Sequence, residues 1–289
     1  MNFEKLVSLL SFEEEEKKIL LNAEKEIMGK YPEEYEKIIA SYHVGKKENA
    51  AAIKECAERV GIHSYVVLLW FFIRYSVEYA LPKYEALGIP EKIFVDTMSN
   101  AVQYSVTTKL KTGVFGIITD VYVHAQRLLF ELNAFRIGNL NFERIKLRED
   151  IEAGGRTVPA GEVIISVHIP RGTDFSDELC EKSYREAKEF YKKYFGIDNG
   201  VFHCHSWMLH PWLSEDISPE SKIVKFGTKF SLCRADNSLA PNEYLFPKQF
   251  EEGDTNFASY PENTSMQRAA KRRLIEGLPY GLAEGLRFL

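Results

Sequence analysis

Apolar residues in the first third of the chain recur every three or four positions, which is helical spacing. Ile19, Leu20, Ala23 and Ile27 share one side of a segment opened by Ser11, with Glu14 closing a capping box. The acidic run Glu13 to Glu16 suits that first turn, where the helix dipole favours negative charge. Tyr31-Pro32 breaks the pattern, a helix through Tyr35, Ile38 and Ile39 follows, and Asn49 to Val60 forms another that Gly61 stops. His63 to Ala86 is different: Val66, Val67, Leu68, Leu69, Trp70, Phe71 and Phe72 make it apolar nearly all round, the pattern of a helix buried at the centre of a bundle. Gly88-Ile89-Pro90 ends it, and a helix from Glu91 towards Leu110 completes the set. Gly113 marks the boundary between a helical domain, 1–112, and a second domain, 113–289, with Asp120 to Leu132 read as a linking helix.

From Ala134 the period falls to two, in FRIGNLNFERIKL, VIISVHI and VFHCHSWML. Leu140 and Phe142 share one phase while Ile145 and Leu147 share the other, which predicts a bulge near Arg144. Gly154-Gly155 and Pro159-Ala160-Gly161 read as hairpin turns on either side of Arg156-Thr157-Val158. The strand Val163 to Ile169 meets a polar turn, Pro170 to Asp174, and then an amphipathic helix with Leu179, Ser183, Ala187, Phe190 and Tyr194 on one face, closed near Gly196. Asp174 or Ser176 can cap it. Backbone N–H groups at such a turn form an anion site in principle, to which Arg171 adds a charge; a plain strand–helix connection is the competing reading. Val201 to Trp207 is the next strand, Ser221 to Ser231 fits helix or strand, and Asn237 to Glu262 is turn-rich. A capping box from Thr264 to Gln267 starts a last helix ending near Gly277, and Leu282 to Leu289 is a final strand. The fold class is α+β, a helical bundle followed by a mixed-sheet α/β domain.

A formal charge of −5 over 289 residues argues against nucleic acid as a partner. The basic cluster Lys271-Arg272-Arg273 reads as a solvated helix face. No basic-then-apolar leader pattern is seen, and the apolar run Tyr65 to Ile73 is too short to span a bilayer, so no membrane association is expected. Cys56, Cys180, Cys204 and Cys233 are widely spaced, as for reduced thiols in a cytoplasmic protein.

His203 and His205 flank Cys204 in one strand, so both imidazoles share a face, and His168 on the neighbouring strand supplies a third nitrogen. Three histidines and an open position suit a catalytic zinc. No fourth ligand is apparent, however, and the favoured reading is a hydrogen-bonded pair with no metal. Ser206 lacks a GxSxG elbow around it, and Cys204 reads as a small buried residue. There is no Walker loop and no GxGxxG after a strand. Trp207 and Trp212 read as core or pocket walls.

The stretches Phe135-Arg136-Ile137-Gly138-Asn139-Leu140-Asn141-Phe142-Glu143, Val167-His168-Ile169-Pro170, Ser206-Trp207-Met208-Leu209-His210-Pro211 and Asn263-Thr264-Ser265-Met266-Gln267-Arg268-Ala269 resemble a bacterial family of acyltransferase-domain proteins. Its members pair a helical N-acyltransferase-type N-terminal domain with a GNAT-like C-terminal domain. The resemblance implies that the strands Val163 to Ile169 and Val201 to Trp207 splay into a wedge for acyl-CoA or acetyl-CoA as co-substrate. The pyrophosphate would lie on Arg171, Gly172 and Thr173, and the backbone about His168 and Ile169 would polarise the thioester carbonyl. His168, His203, His205 and Glu143 would share the acid and base roles towards an amine on a small molecule or peptide. Of the superfamily's glycine-rich pyrophosphate loop only Arg171-Gly172 is present. A metal-dependent enzyme built on the three histidines and a non-catalytic ligand- or partner-binding module remain as alternative functions.

Overall fold

Helix follows helix from Phe3 to Thr112 in the computed structural model, which describes residues 1–118, 126–251 and 253–289. Met1–Arg136 forms one compact unit and Ile137–Leu289 another. The linking helix expected from Asp120 lies partly outside the described residues; within them, 126–130 are helical.

The first unit contains helices Phe3–Leu9, Glu14–Lys30, Pro32–Val44, Lys46–Val60, Ser64–Tyr75, Leu81–Ala86, Glu91–Met98 and Asn100–Thr112. Its first capping box is Glu13 with Glu16, not Ser11 with Glu14. Burial of Leu10 and Phe12 holds the chain extended there and delays the first helical turn. The helix expected from Glu91 to Leu110 is broken at Ser99. There the Ser99 hydroxyl donates to the Asp96 carbonyl (2.5 Å) and the Asn100 amide to the Thr97 carbonyl (2.8 Å), side chains competing with backbone donors. Every residue from Val66 to Ile73 is buried, as the all-round apolar pattern requires. After Tyr75 that helix widens into one π turn, Ser76–Ala80, and resumes at Leu81–Ala86. Pro82 stands where an interior N–H is needed, and its ring crowds the carbonyl four residues back. Against this core lies a partly buried carboxylate: Glu24 accepts from Trp70 Nε1 at 2.7 Å and from Arg74 at 2.6 Å. Burial raises its pKa above the ordinary value. Among the described residues no single helix is long and apolar enough to cross a membrane.

Strands β1 (Ala134–Ile137, at the division of the units), β2 (Leu140–Lys146), β5 (Val163–His168), β6 (Val201–Ser206), β7 (Ser231–Asn237) and β8 (Gly281–Phe288) form one sheet in the order β1-β2-β5-β6-β8-β7, and all but the first lie wholly in the second unit. A small hairpin, β3 (Ile151–Ala153) and β4 (Arg156–Val158), turns through Gly154 (φ 58°) and Gly155 (φ 72°), the pair of left-handed residues that a tight hairpin demands. β5 and β6 are parallel, joined by the helix Asp177–Phe195; the other principal pairings are antiparallel. The bulge expected near Arg144 is absent, since the β2–β5 register is continuous from Asn141↔His168 to Lys146↔Val163. The phase slip has another cause: both faces of the sheet are covered. Phe142 packs on Tyr184 and Phe202 on one face, while Ile145 joins Leu147, Ala153, Val158, Ile164, Val201 and Leu286 on the other.

The helix Asp177–Phe195 buries Cys180, Ser183, Tyr184, Ala187, Phe190 and Tyr191. Leu179 is exposed and Tyr194 half-buried, so the buried face begins at Cys180 and ends at Tyr191. Tyr191 fixes the helix to the sheet by donating its hydroxyl to the Phe142 carbonyl at 2.5 Å. A second apolar cluster gathers Trp207, Trp212, Leu213, Val224, Phe246, Tyr260 and Tyr280, so both tryptophans are core. Ser221–Ser231 resolves into the helix Lys222–Gly227 and the start of β7. The basic cluster is solvated only in part: Arg272 is exposed, whereas Arg273 on the helix Ser265–Glu276 is buried and pairs with Glu215 at 2.5 Å and with Asp216.

Replacing Glu24 by Ala would leave the Trp70 and Arg74 donors without their carboxylate. Amide-exchange protection of the Ser64–Tyr75 helix is expected to fall by roughly 2–3 kcal/mol, and Glu24→Gln, which still accepts from Trp70, is expected to lose less.

Candidate functional site

β5 and β6 pair at only two register positions, Ile165↔Phe202 and Ser166↔His203, and then part. Each is fully engaged on its outer side, β5 with β2 from Val163 to His168 and β6 with β8 from Val201 to Ser206. The separation is therefore confined to the line between them. It coincides with a change from buried to solvent-facing residues: Ser166 and Cys204 are buried, whereas His168 and His205 are exposed.

The register decides which side chains share a face. Ser166 stands opposite Glu143 on one side and His203 on the other, so Glu143, Ser166, His168, His203 and His205 project from one face. On β8 the residue opposite His205 is Glu284, itself opposite Arg234 on β7. The resulting hydrogen bonds fall into two groups. His168 Nε2 lies 2.7 Å from Glu143 Oε2 at the open end. His203 is held at both nitrogens, Nδ1 by Ser166 Oγ at 3.0 Å and Nε2 by Glu284 Oε1 at 2.7 Å. Arg234 Nε completes this second group 2.5 Å from Glu284 Oε2. Burial pushes the His203 pKa below the ordinary 6.5, against the opposing pull of Glu284, and the nearby His205 and His168 push the same way as burial. Cys204, on the opposite face, is pushed up to about 12 by burial and is a neutral thiol at physiological pH.

The turn after β5 is built as a tight reversal. The Thr173 N–H donates to the Pro170 carbonyl at 3.2 Å, and Gly172 takes φ 77° between them. Arg171 Nη2 stands 3.5 Å from the Tyr244 carbonyl, and Ile169 is half-buried beside it. Neither expected cap acts through its side chain on the helix proper: Asp174 instead accepts the Ser176 N–H at 2.9 Å and pairs with Lys222 at 3.0 Å. Asp177 pairs with Lys229 at 2.9 Å, so the first turn of that helix already carries carboxylates.

All four sequence-predicted polar candidates, Glu143, His168, His203 and His205, thus come to one face; His168 with Glu143 and His203 with Ser166 and Glu284 form two separate hydrogen-bonded groups, and His205 belongs to neither. The three histidines do not form a metal site. Both His203 nitrogens are engaged, and among the described residues no group of three or more His, Cys, Asp or Glu is arranged to hold an ion. Sequence reasoning missed Ser166, Glu284 and Arg234. The available signal was a polar residue in mid-strand between non-polar neighbours, Ser166 in VIISVHI and Glu284 in GLAEGLRF.

Comparison with known proteins bears on this site. The model of the GNAT-like C-terminal domain matches residues 134–286, and that of the N-acyltransferase N-terminal domain matches residues 1–121. No curated protein matches the sequence. Among solved structures, an acyltransferase mutant in complex with octanoyl-CoA aligns at TM-score 0.75 and 16% identity, covering 99% of this chain and 87% of that one. An acyltransferase in complex with CoA and 10C-teicoplanin gives the same values. Another in complex with decanoyl-CoA aligns at TM-score 0.65 and 18% identity, covering 80% of this chain and 68% of that one.

Because His203 is held neutral in the folded state, the unfolded chain takes up the extra proton as pH falls. Stability is therefore full above the ordinary histidine value of 6.5 and declines below it. His210, also shifted down by burial, contributes in the same sense. Thermal unfolding followed between about pH 7.5 and 5.5 should show this decline, and His203→Gln should flatten part of it.

Proposed function

The chain belongs to the family whose N-acyltransferase N-terminal domain precedes a GNAT-like C-terminal domain, and from that premise we propose that it transfers an acyl group from acyl-CoA to an amine. The observation that carries the reading is the parting of β5 and β6 beyond Ser166↔His203. Peptide groups facing each other across that line lack a ladder partner, and a pantetheine amide chain is a natural occupant, extending the sheet by hydrogen bonds to its edges. The thioester then lies near His168 and Ile169, with the pyrophosphate at the turn through Arg171, Gly172 and Thr173. Among the described residues no carboxylate pairs with Arg171, which leaves its charge for phosphate. The carboxylates in the first turn of the Asp177–Phe195 helix oppose an anion there. The pyrophosphate is accordingly read as held by Arg171 and the turn backbone, not by the helix end.

His168 is the group that takes the proton from the incoming ammonium. It is exposed, sits at the open end, and has Glu143 at 2.7 Å to orient the ring. His203 is enclosed and lies behind it; His205 borders the mouth. Medium-chain acyl-CoA is the first donor to test, since structural neighbours are complexes with octanoyl- and decanoyl-CoA, and a glycopeptide or other small amine is the first acceptor.

Calorimetric titration with octanoyl-CoA is expected to show one site per chain. Gly172→Leu, which forces a side chain into a left-handed φ of 77°, is expected to weaken that site about tenfold or more, with about 1 kcal/mol lost in stability. His168→Gln is expected to lower kcat by about 10²–10⁴ with little change in the KM for acyl-CoA. Absence of octanoyl-CoA binding would end the reading.

A further inference from the structure

Ser166 and His203 form the last register pair before β5 and β6 separate, and Glu284 stands behind them. The series is Ser166 Oγ, 3.0 Å to His203 Nδ1; His203 Nε2, 2.7 Å to Glu284 Oε1; and Glu284 Oε2, 2.5 Å to Arg234 Nε. This order fixes the tautomer. A carboxylate only accepts, so the ring proton sits on Nε2 and Nδ1 offers its lone pair to the Ser166 hydroxyl. A hydroxyl, a neutral imidazole and an orienting carboxylate in hydrogen-bond series is the arrangement that activates a serine on unrelated folds.

We infer that Ser166, His203 and Glu284 form a nucleophilic triad that takes the acyl group from a thioester as a serine ester before passing it to the amine. The inference rests on the acyl-CoA reading for its donor, and it adds a covalent step to it. The placement supports it in three ways. All three residues are buried, at 5%, 8% and 8% exposure, where fixed charges act with little solvent screening. Ser166 lies at the floor of the gap in which the thioester is proposed to sit. Past it, strand alternation turns the N–H of either Val167 or His168 towards the gap, where β6 no longer takes it, as a donor for the carbonyl oxygen. The groups that face His203 are Ser166 and His168 from β5, His205 from its own strand, and Glu284 from β8 with Arg234 from β7 behind it.

The step balances as follows. Ser166 Oγ attacks the thioester carbon while its proton passes to His203 Nδ1. The C–S bond breaks, and the departing thiolate takes that proton as free thiol. The amine, freed of its own extra proton by His168, then attacks the serine ester. Its N–H proton passes to His203, the C–O bond breaks, and Ser166 recovers the proton as the amide leaves. Glu284 is a positioning residue in both halves.

The test uses a fluorophosphonate probe on the intact chain, which reports a nucleophilic serine without requiring CoA. Peptide mass analysis should place the label on Ser166. Ser166→Ala should abolish it, His203→Gln should reduce its rate by about 10³ or more, and Ser166→Cys should transfer reactivity to an iodoacetamide probe. In parallel, acid-quenched wild type incubated with octanoyl-CoA alone should carry one octanoyl group. No fluorophosphonate label, or label elsewhere, overturns the triad even if octanoyl-CoA binds. Label on Ser166 without octanoyl-CoA binding upholds the triad and removes the donor reading instead. Octanoyl-CoA binding with label on Ser166 but transfer unimpaired in folded Ser166→Ala overturns its place in the reaction.

Discussion

Two residues of pairing between β5 and β6 are the constraint on which the second unit depends. Both strands are tied along their whole length on their outer sides, and between them the ladder stops after Ser166 and His203. Aromatic packing of Phe142, Tyr184 and Phe202 holds one face of the junction. The cluster of Ile164, Val201 and Leu286 holds the other, at the closed end. The backbone groups beyond are left to water or a ligand, because an unpaired peptide group in a protein interior costs about as much as a lost hydrogen bond.

The same strands carry a gradient of polarity. Towards the closed end, the face that bears the histidines is apolar, with Ile145, Ile164, Val201 and Leu286. Towards the open end it is Glu143, Ser166, His168, His203 and Glu284, joined in hydrogen-bonded groups, with His205 beside them. The gap thus leads from a dry floor to a wet mouth, and the two imidazole systems sit at different depths along it. The inner one is held neutral by burial, while the outer one stands open to solvent.

Much of this was legible in the sequence where one physical rule decides the outcome. The all-round apolar Val66–Ile73 run is buried throughout, and Gly113, Gly196 and Gly277 end helices in the left-handed conformation. The alternating strands and the candidates Glu143, His168, His203 and His205 also reached one face, because a period of two leaves no choice. The failures have a shared origin in long-range contacts. A phase change at Arg144 reads as a bulge only if one face is wet; here both are covered. Arg273 looked solvated because Glu215 and Asp216, which neutralise it, come from a distant segment. Ser166 and Glu284 looked unremarkable until the register brought them to either side of His203.

β7 contains one irregularity, between Leu232 and Arg234, where Cys233 is skipped in the pairing with β8. That one surplus residue resets the phase of the outermost strand, so that a guanidinium and not a thiol stands opposite Glu284. Closing that bulge with the residue count unchanged would bring the Cys233 thiol opposite Glu284 and take the cation away from the back of the histidine system, while leaving every residue of the gap untouched. The electrostatics of the buried imidazole are in this way addressable from the rim of the sheet, through register alone.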